Sequence, residues 1–472
     1  MKKEYKNLIR NTSIFALGTF GSKVLVFLII PLYTHILTSS EYGIVDLITS
    51  SVSLLIPFST LLIYEAAIRF LIGRDSDEKT TFNNSFFVFL IGCFFAMFLS
   101  PIILHFLNLS RYYIVFNALI ILTSYTTIFG QYLRAVKDNW GFSLSGIIHS
   151  FFTVLLTLVL LLILKKGING YLMALVISQA LSGLFIFFRC KTLNNIDFKS
   201  INLTVLKKML IYTLPLVPNN LMWWIMNAGD KYVINYYLGT SSNGIFSIAY
   251  KIPTILTMLF SIFMQAWQVS AIEEKGSQNV FYKNVFTTIM CLLIVCSSFI
   301  IFGIKPLSKF VLGADFNESW MYVPLLCIAT LFNCFSTFAG VVYIVKKDSK
   351  NSFYTTFIGA TVNICLNLIL IRFFGLFGVV LGTIIGYLLV MILRFKDYKN
   401  YFNVSLIDSK FILSIIIIII DAITYTFIEG PIKYCISFII MVVILYISKD
   451  CFANFLNMIK ENFFHKKIKH RL

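Results

Sequence analysis

Charge is scarce in this chain, and acidic charge is scarcest. Of 472 residues only 13% are Asp, Glu, Lys or Arg, and 21 acidic side chains face 39 Lys and Arg. Hydrophobic residues supply 58%. A soluble protein of this size could not hide that much apolar surface, which points to an outer face in contact with lipid. The nine Cys never form a C-x-x-C pair, so there is no metal signature and the pattern is a reduced one without disulfides. Catalytic motifs are missing too: no Walker-type phosphate loop, no H-E-x-x-H, and no G-x-S-x-G placed after a strand. The chain therefore reads as a non-enzyme without cofactor, metal or ATPase of its own. Any transport would draw on an ion gradient or on the substrate gradient.

What is present is hydrophobic length. A spanning helix needs ~20 mostly apolar residues. About fourteen such segments are expected, at 11–37, 43–70, 84–107, 112–133, 141–164, 168–188, 212–238, 245–272, 284–304, 320–345, 352–373, 376–394, 411–428 and 432–448. The fold class is all-α and integral to the membrane. The first apolar run is too long for a signal peptide and lacks a small-residue cleavage site, so it is read as a retained span. With the N-terminus inside, the outer loops hold only Arg111, Lys165, Lys166, Lys305, Lys309, Arg372 and Lys433, and most other basic residues fall on the inner side. That asymmetry places both termini in the cytoplasm. It also accounts for the net charge of +18 without nucleic acid.

The chain repeats itself. "ILTSSEYGIVDLI" (36–48) returns as "YLGTSSNGIFSIA" (237–249), and "GINGYLMALVIS" (167–178) returns as "GLFGVVLGTIIG" (375–386) at nearly the same spacing. Six spans separate the copies, so both run in the same direction, as in a parallel repeat. Two six-helix lobes are expected, 1–190 and 212–395, joined by a cytoplasmic connector at 191–211. Two extra spans fill 396–448, and a basic amphipathic tail, 449–472, suits the anionic inner surface. Gly378, Gly382 and Gly386 recur every fourth residue, a spacing that lets helices pack closely.

Polar residues within spans should face protein or water. Helical spacing aligns Thr12, Ala16, Thr19, Lys23 and Thr34 in the first span. It aligns Asn219, Trp223, Asn227, Asp230 and Tyr237 in the seventh, and Ser247, Lys251, Thr254, Met258, Ser261 and Gln265 in the eighth. The three stripes would line one polar cavity. Asp230 would pair with Lys251 and leave Lys231 for another partner. That pair is either a structural brace or part of a site where lysines bind an anion. Glu65 and Arg69 are spaced for local neutralisation, with Arg69 also an inner-mouth charge. His35 and Asp46 sit at similar depth near the outer mouth, as surface polarity or as a proton-linked pair. Asp421, mid-depth in "IIIIIIDAITYTFIEG", has no partner that the sequence names. Asp230, Asp46 and Asp421 are the candidates for ion coupling. Trp223, Trp224 and Trp267 serve either aromatic packing or stacking on sugars.

Three stretches carry a family resemblance: "LTSSEYGIVDLITSSVSLLIPFSTLLIYEAAIRF" (37–70), "LPLVPNNLMWWIMNAGDKYVINYYLGTSSNGIFSIAYKIP" (214–253) and "LGADFNESWMYVPLLCIATLF" (312–332). In these the chain resembles the Wzx-type polysaccharide-biosynthesis flippases of the multidrug/oligosaccharidyl-lipid/polysaccharide exporter superfamily. The resemblance runs from residue 5 to about 395. It implies two helix bundles around a V-shaped cavity that alternates between inward- and outward-open states. It implies a bacterial cytoplasmic membrane location and a substrate of oligosaccharide on undecaprenyl pyrophosphate, destined for capsule, O-antigen or exopolysaccharide. Membrane lipids, a polymerase and chain-length machinery would be its partners. The family's cavity is cationic, and Lys23, Lys231, Lys251 and Arg69 fit that description, with Thr19, Asn219, Trp223, Asn227, Ser247 and Gln265 lining it. The family's Asp in "sDr..i..ylG" matches Asp230, and its Arg is replaced by Lys231, which keeps the charge and loses the bidentate geometry. A drug–ion antiporter or a lipid II flippase of the same superfamily, and a glycan polymerase or ligase, are the other classes considered.

Overall fold

In the computed structural model the chain is helical, with no strand among the described residues, which are 21, 27, 29–73, 77–273, 278–346, 348–402 and 406–449. Eleven helices among them are long and apolar enough to cross a bilayer, or twelve if one bent pair counts as a single span. The eleven coincide with the expected second to sixth and ninth to fourteenth spans. The bent pair, Leu216–Lys251 with Thr254–Met264, occupies the seventh and eighth. The chain is a multi-span membrane protein. Most of the expected first span, and the tail from residue 450, lie outside the described residues. Two compact units make up the chain: residues 1–244 with 311–316, and residues 245–310 with 317–472.

Among the described residues of the first unit, the first helices with both ends described are α1 (Ile30–Ile36) and α2 (Ser39–Thr60). Thr38 starts α2 with a reciprocal cap: its hydroxyl accepts the Glu41 N–H at 3.2 Å, and the Glu41 carboxylate accepts the Thr38 N–H at 3.0 Å. Pro57 removes one helical donor near the other end. Leu61 and Leu62 then adopt positive φ, 46° and 52°, a left-handed pair that non-glycine residues rarely accept. The Thr60 hydroxyl receives the Leu62 N–H at 3.2 Å, and α3 (Ile63–Gly73) follows. The second span is therefore two helices with a strained joint.

Next come α4 (Glu78–Phe106), α5 (Tyr113–Ala135), α6 (Asn139–Thr157, continued as a π-helix over Leu158–Ile163) and α7 (Gly167–Arg189). Phe82, Phe129 and Tyr132 interlock with Ile63, Ile128 and Met209, all nearly free of solvent. The segment after α7 makes one turn at Thr192–Asn195 and then α8 (Leu203–Thr213). It folds back on the start of α4. The Asn83 side chain accepts the Asp197 N–H at 2.7 Å and donates to the Asn195 carbonyl at 2.9 Å, and Lys79 pairs with Asp197 at 2.7 Å. Helix α9 (Leu216–Lys251) then starts in this unit.

The second unit holds α10 (Thr254–Glu273), α11 (Gln278–Val311, to residue 310), α12 (Val323–Ala339), α13 (Val341–Lys346), α14 (Ser349–Phe374), α15 (Leu376–Phe402), α16 (Ser409–Phe427) and α17 (Ile432–Lys449). Helix α12 is buried at nearly every position, as its all-round apolar sequence requires. The glycine stripe of α15 works as expected. A Cβ at Gly378 would lie 2.2 Å from the Leu370 carbonyl oxygen, and one at Gly382 would lie 2.0 Å from Asn367 Oδ1. Only a residue without a side chain admits α14 this closely.

Candidate functional site

Charge inside the first unit is organised around Lys231 of α9. Its ammonium donates to Asp46 Oδ1 at 2.9 Å and to Ser50 Oγ at 3.0 Å. Asp46 and Ser50 are one helical turn apart on α2, so both reach the same point. Asp46 is only 7% exposed. The contact extends along the same faces. Tyr232 hydrogen-bonds Ser51 at 2.6 Å, and Trp224 Nε1 donates to the Ser50 carbonyl at 3.1 Å and the Ser53 hydroxyl at 3.0 Å. A lone charge at this depth is costly, and a paired, hydrogen-bonded one far less so. The Asp46 charge also reaches a buried tyrosine cluster: Tyr33 stacks on Tyr42 at 4.9 Å and tilts against Tyr171 at 5.4 Å.

The two copies of the repeat meet in this unit. Aligned, Ser39, Ser40 and Gly43 correspond to Thr240, Ser241 and Gly244. Ser39 bonds Ser241 and Ser40 bonds Thr240, each at 2.7 Å. A Cβ at Gly43 would fall 1.9 Å from the Thr240 carbonyl oxygen, and one at Gly244 would fall 1.9 Å from the Ser39 carbonyl oxygen. Each contact is the image of the other, as a two-fold relation between copies demands. Asn243 adds a bond to the Gly43 carbonyl at 3.0 Å. The second copy reaches this position because α9 breaks at Gly239, whose φ of 83° and ψ of 176° suit glycine alone. The first copy has the extended cap Thr38 at the equivalent place.

The remaining expected site residues fall in both units. Thr19 and Lys23 lie outside the described residues, as does the side chain of Gln265. Asp230 is buried in the first unit, with Asn219 and Trp223 half-buried and Asn227 exposed. Asn227 donates to the Trp223 carbonyl at 2.7 Å, whereas Asn219 Oδ1 has no protein partner among the described residues. Lys251, half-buried at the end of α9, and Ser247, fully buried, belong to the second unit.

Several expectations change. Glu65 and Arg69 form no ion pair among the described residues: the Arg69 guanidinium lies over the Tyr212 ring at 4.4 Å. Packing of α8 against α3 supplies the ring, which helical spacing within one span does not reveal. His35 is exposed, with Nδ1 2.7 Å from the Pro31 carbonyl, while Asp46 is buried and held by Lys231. Neither is surface polarity shared by a pair. Trp267 is buried against Phe338 at 4.8 Å, and Trp224 packs on Tyr232 at 5.3 Å, so both serve aromatic packing.

Asp421 is fully buried in the second unit, and neither carboxylate oxygen has a hydrogen-bond partner among the described residues. Sequence reasoning missed Arg394 on α15, which is 3% exposed. Its guanidinium donates to the Thr356 hydroxyl at 2.9 Å and to the Thr355 hydroxyl and Ser336 carbonyl at 3.3 Å. The available signal was that Arg394 shares a helical face with Gly386 and Val390 rather than with the loop lysines.

This arrangement of helices is shared with solved membrane transporters. An inward-facing multidrug resistance MATE family transporter of the MOP superfamily superposes with a TM-score of 0.66 at 16% identity, covering 82% of this chain and 97% of that one. The lipid II flippase MurJ in an inward closed conformation also gives 0.66 at 16% identity, covering 94% of this chain and 99% of that one. Among curated proteins, an uncharacterized membrane protein of Methanocaldococcus jannaschii is 23% identical over 80% of this chain and 95% of its own length. The fold is thus one that this chain shares with these two solved proteins. A family model described as "Polysaccharide biosynthesis protein" matches residues 8–268, more than half of the chain. The chain belongs to the polysaccharide biosynthesis protein family.

Proposed function

We propose that the protein is a flippase that moves an oligosaccharide on undecaprenyl pyrophosphate from the inner to the outer leaflet of the bacterial cytoplasmic membrane by alternating access. Capsule, O-antigen or exopolysaccharide assembly would consume the product, through a polymerase and its chain-length machinery. One observation carries this reading: the family match over residues 8–268 contains every member of the Lys231–Asp46–Ser50 cluster. A pyrophosphate competes with Asp46 for the Lys231 ammonium, because it offers the same acceptor chemistry with more charge. Lys231 is a point charge, so it holds the anion without the fork geometry of arginine and releases it more easily. Lys23, Lys251 and Arg69 are the further cationic positions proposed for the anion's path. Asp230, Asp46 and Asp421 are the positions proposed for coupling to a proton or sodium ion.

The experiment is depletion in the native cell followed by analysis of polyprenyl-linked glycans. One multi-sugar lipid should accumulate on the cytoplasmic side while surface polymer falls. Altered drug susceptibility with intact surface glycan would instead make the chain an exporter of another kind. A second reading, lipid II as the substrate, is favoured by the MurJ likeness, which extends over 94% of this chain. Accumulation of lipid II in the same analysis would select it.

A further inference from the structure

The most unusual charge in the second unit is Lys433, at the start of α17. The residue is 2% exposed, yet no carboxylate lies within ion-pair distance among the described residues. Its ammonium lies 4.2 Å from the Trp320 ring centre, 5.0 Å from that of Tyr425 and 5.9 Å from that of Tyr434. Of its three donors, one finds a long bond, 3.5 Å, to the Tyr425 carbonyl. Tyr425 spends its own hydroxyl on the Phe302 carbonyl at 3.0 Å.

A second cation converges on the same place. Lys305, near the end of α11, sets its ammonium 4.6 Å from the centre of the Trp320 ring. It too has no carboxylate in range among the described residues. An aromatic cage built to hold one cation gains nothing from a second, whose charge opposes the first. Glu429, exposed on the loop between α16 and α17, acts on Lys433 only through space. Two ammonium groups against one indole, one of them buried, lack the counter-charge that buried cations require.

We propose that Lys305, Lys433 and Trp320 form a site for a phosphate-class anion, a phosphomonoester or phosphodiester presented at the membrane surface. The location suits that ligand. Lys305, Trp320, Tyr425 and Lys433 come from a helix end, the segment before α12, a second helix end and a helix start, all at one end of the unit's spans. Lys305, Trp320 and Tyr434 are half-buried, so these members of the cluster keep part of their surface exposed. Basic pockets between spans at the interface are where lipid phosphates dock, and aromatic rings favour the same depth. By the loop-charge asymmetry this end is the outer face. The site shares no residue with the Lys231 cluster, and it stands whether or not the chain moves a glycan lipid.

The test uses the full chain in detergent micelles, with geranyl phosphate, inorganic phosphate and geraniol as probes. The readout is that part of the intrinsic fluorescence change which Trp320→Phe removes, so other anion sites do not contribute. Geranyl phosphate should give a saturable change and geraniol none. Lys305→Gln should weaken binding by about tenfold or more, the loss expected for one charged hydrogen bond. Lys433→Arg should retain it, and Lys433→Gln should lose it. Saturation by inorganic phosphate at similar concentration would identify a free phosphate site. Saturation by geranyl phosphate alone would identify a lipid headgroup. Geraniol matching geranyl phosphate, or a monodisperse Lys305→Gln protein binding as tightly as wild type, would overturn the proposal.

Discussion

The Lys231–Asp46 pair allows a sharp test by double-mutant cycle. Asp46→Ala leaves the Lys231 ammonium at depth with the Ser50 hydroxyl, at 3.0 Å, as its hydrogen-bond partner among the described residues. A lone Lys or Asp within a span costs ~2.5–3.5 kcal/mol on insertion scales. Asp46→Ala should therefore destabilise the fold by about 2–3 kcal/mol, and Lys231→Ala by less, because Asp46 keeps other contacts. The double replacement removes both charges and leaves only lost packing and the hydroxyl contact, about 1 kcal/mol. The coupling energy should come to about 2 kcal/mol or more. Neutral hydrogen bonds between membrane helices average only ~0.6 kcal/mol, so the cycle separates an ion pair from an ordinary polar contact. The assay is denaturant or thermal unfolding of the four proteins in one detergent, followed by glycan export in cells. A coupling below about 0.5 kcal/mol would refute the claim that these charges neutralise each other at depth. If the pair binds substrate as well, the double variant should regain stability without regaining export.

Three further predictions use other contacts. Gly43→Val should destabilise by about 3 kcal/mol or prevent folding, because the added Cβ meets backbone at 1.9 Å; Gly303→Ala, with nothing within 4 Å, should unfold like the wild type. Asp421→Asn should leave unfolding unchanged or raise stability by about 1 kcal/mol, since the carboxylate oxygens hold no hydrogen bond among the described residues; export that survives this change would remove Asp421 from ion coupling. Acid should loosen the polar ends of the first unit. The bond from Lys79 holds the Asp197 carboxyl at about 2, and that from Arg189 holds Asp138 below its ordinary value. Both are depressed in the fold, so their contribution is complete above pH ~4 and fades as pH falls through the folded values. Hydrogen exchange over 192–200 should quicken as pH drops from about 4 towards 2, after correction for intrinsic rates. Asp197→Asn should remove that dependence.

The sequence by itself marked the second to sixth and ninth to fourteenth spans, because a bilayer demands some 20 apolar residues whatever the neighbours are. It also determined that α15 packs closely through Gly378, Gly382 and Gly386, and that 36–48 and 237–249 are copies. These are properties of one helix or of a direct comparison. It marked Lys231 as anomalous but could not supply Asp46, since a partner on another helix has no fixed spacing in the chain. For the same reason Arg69 exchanged its expected neighbour Glu65 for the ring of Tyr212, and Lys433 passed as an ordinary loop charge. Only the tertiary structure decided which polar groups meet. It did so by folding the chain at joints such as Leu61–Leu62 and Gly239, where left-handed backbone turns one helix away and brings the face of another against it.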